Sequence, residues 1–203
     1  MSLDGYVAGP SQDVEHPLGV GGERLHEWIY ATASFQRMIG ADGGEFGVDE
    51  DVFAAGFDGV GATIMGRNIF GPVRGPWSSP AWDGWWGDTP PFHHDVFVLT
   101  HHARAPLVMD GATTFHFVTE GRQRALALAK EAAGALDVRL GGGAHTIREF
   151  LALGLIDELH IALSPVLLGS GERLFVDGDD DANLTCAASV ATTKATHLTL
   201  VAR

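Results

Sequence analysis

Residues 137–150 read DVRLGGGAHTIREF: a short apolar strand, three glycines in succession, then at once the start of a helix. A chain with this order must turn sharply at the glycines. Glycine lets backbone approach a ligand closely, and the first free N–H groups of the helix behind it point the same way. Strand, glycine run and helix N-terminus form an anion site whose natural guest is a diphosphate; the same glycines also make an ordinary tight turn. Two further segments repeat the arrangement. GATIMGRNIF (61–70) and DVFVLTHHAR (95–104) are each an apolar strand ending in small, polar or cationic residues. Three such strand ends on one edge of a parallel sheet make a nucleotide crevice.

The formal charge of −13 argues against a nucleic-acid partner, because affinity for a phosphate backbone depends on clustered Lys and Arg. A small anion needs only a few local cations, and Arg67, Arg104 and Arg148 follow the three strand ends. At 203 residues, with 45% hydrophobic and 19% charged, the chain suits one globular domain, 1–203. Its 27 glycines have no fixed period, which excludes collagen-like and repeat architectures. The one cysteine, Cys186, has no intramolecular partner, sits in a strand-like setting and fits a reducing cytoplasm. No stretch of about 18 apolar residues and no leader pattern is present, so the expectation is a soluble, cytoplasmic protein.

Along the chain, residues 1–5 read as a strand end followed by an Asp-Gly turn. Residues 22–38 carry a helical pattern, with Leu25, Trp28, Ile29 and Phe35 near one face. Asp49, Glu50 and Asp51 open a short helix to Ala55, where acidic residues suit the positive end of the dipole. Strands are expected at 59–65, 95–100, 114–119 and 138–140, and helices at 121–133 and 146–152. This alternation implies right-handed crossovers and a largely parallel sheet. Strands at 156–168, 184–191 and 197–201 have no helix between them, which suggests an antiparallel edge added to that sheet.

Residues 70–92 form a long loop with five prolines, Pro72 and Pro80 among them, and four of the five tryptophans. Trp77, Trp82, Trp85 and Trp86 carry too much aromatic surface to stay in water. They line a pocket for a flat ring, cover an oligomer contact or pack into the core. The acidic run at 177–181 reads as a solvated loop. The histidine pairs 93–94 and 101–102 do not suggest a metal, because neighbours in an extended chain point opposite ways and no third ligand stands out.

Taken together, SLDGYVAG, IMGRNIF, VFVLTHHAR and LGGGAHTIREFLALGLIDELHIALSPVLLGSGERLF resemble the dihydrofolate reductase-like superfamily. Within it the chain is most similar to the reductase domain of the bifunctional riboflavin-biosynthesis deaminase/reductase and its stand-alone relatives. The deaminase's zinc motif is absent from the sequence. The resemblance implies a three-layer α/β fold, with a mostly parallel central sheet, antiparallel C-terminal strands and flanking helices. It also implies a homodimer that binds NADPH and delivers hydride to a pyrimidine- or pterin-like ring.

Carried over by residue, Gly66, Arg67 and Asn68 match a turn that contacts cofactor phosphates. Thr100, His101 and Arg104 match the strand end that receives the adenosine ribose and its 2′-phosphate. Gly141, Gly142, Gly143 and Ala144 match the glycine turn under the diphosphate, where relatives often hold a cis Gly–Gly peptide. His145 and Thr146 begin the helix. The physical reading agrees, since a hydroxyl beside cationic groups suits a phosphate. Trp77, Trp86, Pro165 and the segment 163–175 fall on the expected substrate side.

Hydride transfer leaves a proton to be supplied. Counting back from Gly66 as in dihydrofolate reductases lands on Glu50, which would act as an acid if a partly apolar cleft raised its pKa. Helix capping is its competing role. Asp4, in the SLDG turn, is the second candidate and reads better as a residue shaping the nicotinamide pocket. No counterpart of the riboflavin reductases' substrate-phosphate residues stands out. Two other readings stay open: a dihydrofolate reductase, which would bind methotrexate tightly, and a nucleotide-binding protein without turnover.

Overall fold

Strand and helix alternate through the middle of the chain, and the pattern breaks where the sequence pattern does. A computed structural model describes residues 1–71, 75–78, 82–176 and 183–203; the acidic run at 177–181 and Pro72 and Pro80 lie outside them. In chain order the elements are β1 (Tyr6–Ala8), α1 (Glu27–Tyr30), α2 (Ala33–Met38), α3 (Val48–Ala55), β2 (Val60–Gly66), α4 (Arg67–Phe70) and β3 (Asp95–Leu99). Then come β4 (Leu107–Val108), β5 (Thr114–Val118), α5 (Arg122–Ala133), β6 (Asp137–Leu140), α6 (Ala144–Ala152) and β7 (Glu158–Leu163). The chain closes with β8 (Glu172–Arg173), β9 (Leu184–Ala191) and β10 (Thr196–Ala202). This is a mixed α/β fold with a mostly parallel sheet, antiparallel strands and helices, in two compact units: Gly56–Thr146, and Met1–Ala55 with Ile147–Arg203.

In the middle unit the strand order is β4-β5-β3-β2-β6, parallel except for β4. The register sets Thr63 beside Val96 and Met65 beside Val98, so one face of the sheet is apolar. Met65, Val96, Val98 and Phe115 pack there with Phe70, and Trp77, Trp82, Trp86 and Phe92 close over them. The alternating residues Ala62 and Ile64 are fully buried as well, so both faces are covered, as a parallel sheet requires. Helix α5 lies on β2, β3 and β6 along a buried stripe of Ala125, Ala129 and Ala133, four residues apart and small enough for close approach.

In the terminal unit β10 lies between β7 and β9, antiparallel to both, and β1 pairs with β8. The C-terminal strands therefore form a sheet of their own, not an edge added to the parallel one; among the described residues these three strands pair only with each other. The apolar run from 156 yields a strand only to Leu163. Ser164 is buried and turns its hydroxyl to the Leu25 carbonyl at 3.0 Å, and Pro165 has no N–H for a ladder. The helical pattern at 22–38 breaks into a 3-10 turn, α1 and α2. Thr32 ends one piece and caps the next, its hydroxyl accepting from the Phe35 amide at 3.3 Å. Residues 1–5 form a turn before β1, where a strand end was expected. No described helix is long and apolar enough to cross a membrane.

Candidate functional site

The carboxyl ends of the parallel strands carry the site in the middle unit. Strand β2 ends at Gly66, whose amide donates to the Gly142 carbonyl at 2.9 Å, and the Gly141 amide donates to the Ile64 carbonyl at 2.8 Å. These two bonds clamp the glycine run to the end of β2. The Gly142–Gly143 peptide is cis. Gly142 has φ +102°, a conformation glycine alone adopts cheaply. Gly66 is glycine for another reason: a Cβ there would lie 2.5 Å from Thr146 Oγ1. Ala144 and Thr146 are buried where α6 begins, and His145 between them is exposed.

Beyond Gly66 the chain enters the four-residue turn of α4, and Arg67 and Asn68 are half-buried. The Arg67 guanidinium lies 3.1 Å from the centre of the Trp77 ring. Its Nη1 reaches Thr100 Oγ1 at 3.4 Å, and its Nε and Nη2 are buried with no hydrogen-bond partner among the described residues. Arg104 lies 5.0 Å from the same indole centre and donates to the Trp82 carbonyl. Burial first, and the neighbouring Arg104 second, press the Arg67 pKa down from the ordinary arginine value. Burial lowers that of Arg104 too, against an opposing pull from Asp83. Both guanidiniums remain charged at any ordinary pH. Thr100 is buried at the end of β3, and its hydroxyl accepts from the His102 amide at 3.2 Å, while His101 is exposed.

Two neighbouring cations, one of them with buried donors that no described residue satisfies, make a place for an anion. The glycine turn beside them fits a phosphate-bearing group, as does the helix start. A dinucleotide carrying a 2′-phosphate matches this donor set, with Arg67, Arg104 and Thr100 toward the phosphate and Gly141–Gly143 toward the diphosphate.

The tryptophans divide between two jobs. Trp77 belongs with the cations: it stacks under Arg67 and its Nε1 donates to the His102 carbonyl at 2.8 Å. Nothing in the sequence signals that pairing except an exposed-type loop rich in indoles. Trp86 lies stacked on Phe115, 5.7 Å between centres, and edge-on to Phe92, which makes it part of the core. Pro165 is exposed just beyond β7 in the terminal unit. Arg148, in the same unit, donates to the Arg173 carbonyl at 2.5 Å.

Both candidate acids also lie in the terminal unit, and each accepts hydrogen bonds there. Glu50 on α3 accepts from the Ser34 hydroxyl at 2.6 Å and the Ser34 amide at 2.8 Å. Those bonds lower its pKa, the reverse of the rise expected from an apolar cleft. Asp4 accepts from the Leu168 amide at 3.1 Å and the Gly169 amide at 2.7 Å. Its pKa is pulled down to about 2, chiefly by the Ser2 hydroxyl and then by those amides.

The family model of the RibD C-terminal domain matches residues 1–198. The chain belongs to the RibD C-terminal domain family. A curated relative is the uncharacterized protein YyaP of Bacillus subtilis (strain 168), 46% identical over 48 residues; the match spans 24% of this chain and 26% of that protein. This RibD C-terminal domain superposes on a putative riboflavin biosynthesis protein from Shewanella sp. PV-4 with TM-score 0.64 at 23% identity, covering 100% of this chain and 95% of that one. It superposes on the diaminohydroxyphosphoribosylaminopyrimidine deaminase/5-amino-6-(5-phosphoribosylamino)uracil reductase of Thermotoga maritima with TM-score 0.53 at 12% identity, covering 100% of this chain and 54% of that one. RibD from Acinetobacter baumannii gives TM-score 0.50 at 16% identity, over 98% of this chain and 55% of that one. The chain thus spans about half the length of the last two, which share its fold. Family membership rests on the RibD C-terminal domain match, and these solved structures share the fold.

Proposed function

We propose that this RibD C-terminal domain is an NADPH-dependent reductase acting on a pyrimidine- or pterin-like ring, a 5-amino-6-(5-phosphoribosylamino)uracil or a close analogue. The observation that carries the reading is the buried Arg67 guanidinium at the strand ends beside the glycine turn, whose Nε and Nη2 lack partners among the described residues. NADPH supplies the hydride. Arg67, Arg104 and Thr100 bind its 2′-phosphate, and residues 141–146 bind its diphosphate through backbone N–H groups. Glu50 and Asp4, held as carboxylates, position backbone, so the accompanying proton comes from water. The remaining partner is a second copy of the chain, supported by the exposed edge strand β9, which carries no charged residue. The protein works in the cytoplasm, where NADPH is kept reduced.

Calorimetric titration with NADPH and NADH, repeated on Arg104→Ala, tests the cofactor reading. The expected result is NADPH binding at least about tenfold tighter than NADH, a gap of about 1.4 kcal/mol that the substitution narrows. Absence of binding by either nucleotide refutes it. Turnover of the phosphoribosylaminouracil, and not of dihydrofolate, then tests the substrate.

A further inference from the structure

The terminal unit holds a chain of hydrogen bonds, centred on one buried histidine, that the proposed reaction does not use. His197 on β10 is 2% exposed, and its Nε2 lies 2.8 Å from Asp49 Oδ1 on α3. Its Nδ1 lies 3.3 Å from Nε2 of His160, on the exposed side of β7, and the two imidazoles stack 5.3 Å apart at 19°. Trp28 of α1 sets its ring edge-on to His197 at 4.8 Å. Register explains the meeting: His197 faces Ala162 and His160 faces Thr199, so the histidines are diagonal neighbours on one face of an antiparallel pair.

The protonation states of this chain are countable. Asp49 accepts, so Nε2 of His197 carries a hydrogen. The 3.3 Å contact between the histidines then needs one nitrogen bearing hydrogen and one bare. With no added proton, His160 donates to His197. One added proton is accommodated on either ring with every bond kept. A second sets two N–H groups head to head and two cations in stacking contact. The contact must then open.

We propose that Asp49, His197 and His160 form a one-proton latch that fastens α3 to the C-terminal sheet near neutral pH and releases it when both imidazoles are charged. The groups that face the pair are Asp49 from α3, the uncharged indole of Trp28 from α1, and the α-amino group of Met1, which donates to the Ala162 carbonyl on β7. Burial, then His197, then that amino group all hold the pKa of His160 below the ordinary histidine value. The second proton therefore binds less readily than it would on a free imidazole. Asp49 precedes Glu50 on α3, so release also loosens the helix that carries the Ser34–Glu50 contact. The latch involves the terminal unit alone, and its test does not depend on the cofactor reading.

Hydrogen exchange read residue by residue supplies the test, as protection factors of the 48–55 amides followed from pH 7.5 to 4.5. In the wild type these amides are expected to lose protection about tenfold per pH unit at the steepest point, the slope for one extra proton on the opened state, while amides of β3 and α5 hold theirs. His160→Gln places a non-titrating amide donor opposite His197 on an exposed strand. It is expected to keep the neutral-pH protection and flatten the slope. Asp49→Asn keeps a hydrogen-bond acceptor but removes the charge beside the latched proton, so opening sets in at higher pH. The latch is overturned if the α3 amides follow the global unfolding reporters across the range, or if His160→Gln titrates like the wild type.

Discussion

Replacing Arg67 by Met separates a ligand-binding role from a structural one, because the two predict opposite effects on the ligand-free protein. Met keeps much of the aliphatic stem and removes the charge. Two guanidinium donors, Nε and Nη2, are buried without partners among the described residues. An unsatisfied buried donor costs about 1–3 kcal/mol, more when charged. Against that, the substitution loses a stack over Trp77 at 3.1 Å, about 1–2 kcal/mol when desolvated, and a long 3.4 Å bond to Thr100. The ligand-free variant should therefore unfold in urea at a free energy equal to the wild type or up to about 2 kcal/mol above it. Binding should suffer instead. Charge-assisted bonds to a phosphate contribute about 1.5–3 kcal/mol each, so losing the orphaned donors should weaken NADPH by roughly 100-fold or more. Arg67→Lys, with a point charge and no planar fork, should fall between. Urea unfolding with and without NADPH, together with calorimetry, reads all three quantities. A ligand-free Arg67→Met protein that loses 2 kcal/mol or more while binding NADPH normally would refute the reasoning and make Arg67 a packing residue.

Gly66→Ala should destabilise by about 1–3 kcal/mol, because its Cβ would fall 2.5 Å from Thr146 Oγ1; adding Thr146→Ala should recover most of the loss, which a double-mutant cycle by denaturant unfolding measures. Asp4 has a folded-state pKa of about 2, below its unfolded value of 3.8, so its contribution is full above pH 3.8 and lost as pH falls through 2. Asp4→Asn should thus be less stable than wild type at pH 7, and the two unfolding curves should draw together toward pH 2. Glu50→Gln should lower stability near neutral pH by weakening the two Ser34 bonds and should leave the acidic limb of the turnover–pH profile in place; disappearance of that limb would restore Glu50 as the acid.

Elements written in local pattern are found within a residue or two of where sequence reading puts them. Strand β9 occupies 184–191 as expected, and α5 and β6 begin within a residue of their expected starts. The two-residue strands β4 and β8 were missed, because a strand that short has no periodicity and exists only through its partner. The site divided in the same way. The placement of Gly66, Arg67, Thr100 and the 141–143 glycines at strand ends and in a glycine turn is legible, because these are local features. The stacking of Arg67 on Trp77 is not, since it crosses a loop whose path no pattern records.

By itself the sequence settles the alternation of strand and helix through the middle of the chain, the glycine turn before α6 and the cations that follow two strand ends. Propensity and backbone freedom act over a few residues, and these features need no more than that. Only tertiary structure decides what each polar group does. Glu50 and Asp4 look like acids in sequence and become low-pKa carboxylates because Ser34, and the backbone at 168–169, donate to them. His197, with no motif around it, is set between Asp49 and His160 by pairing across a sheet and a helix 148 positions away. A proton's affinity depends on the donors, acceptors and charges within a few ångströms, and for these residues folding alone brings those neighbours together.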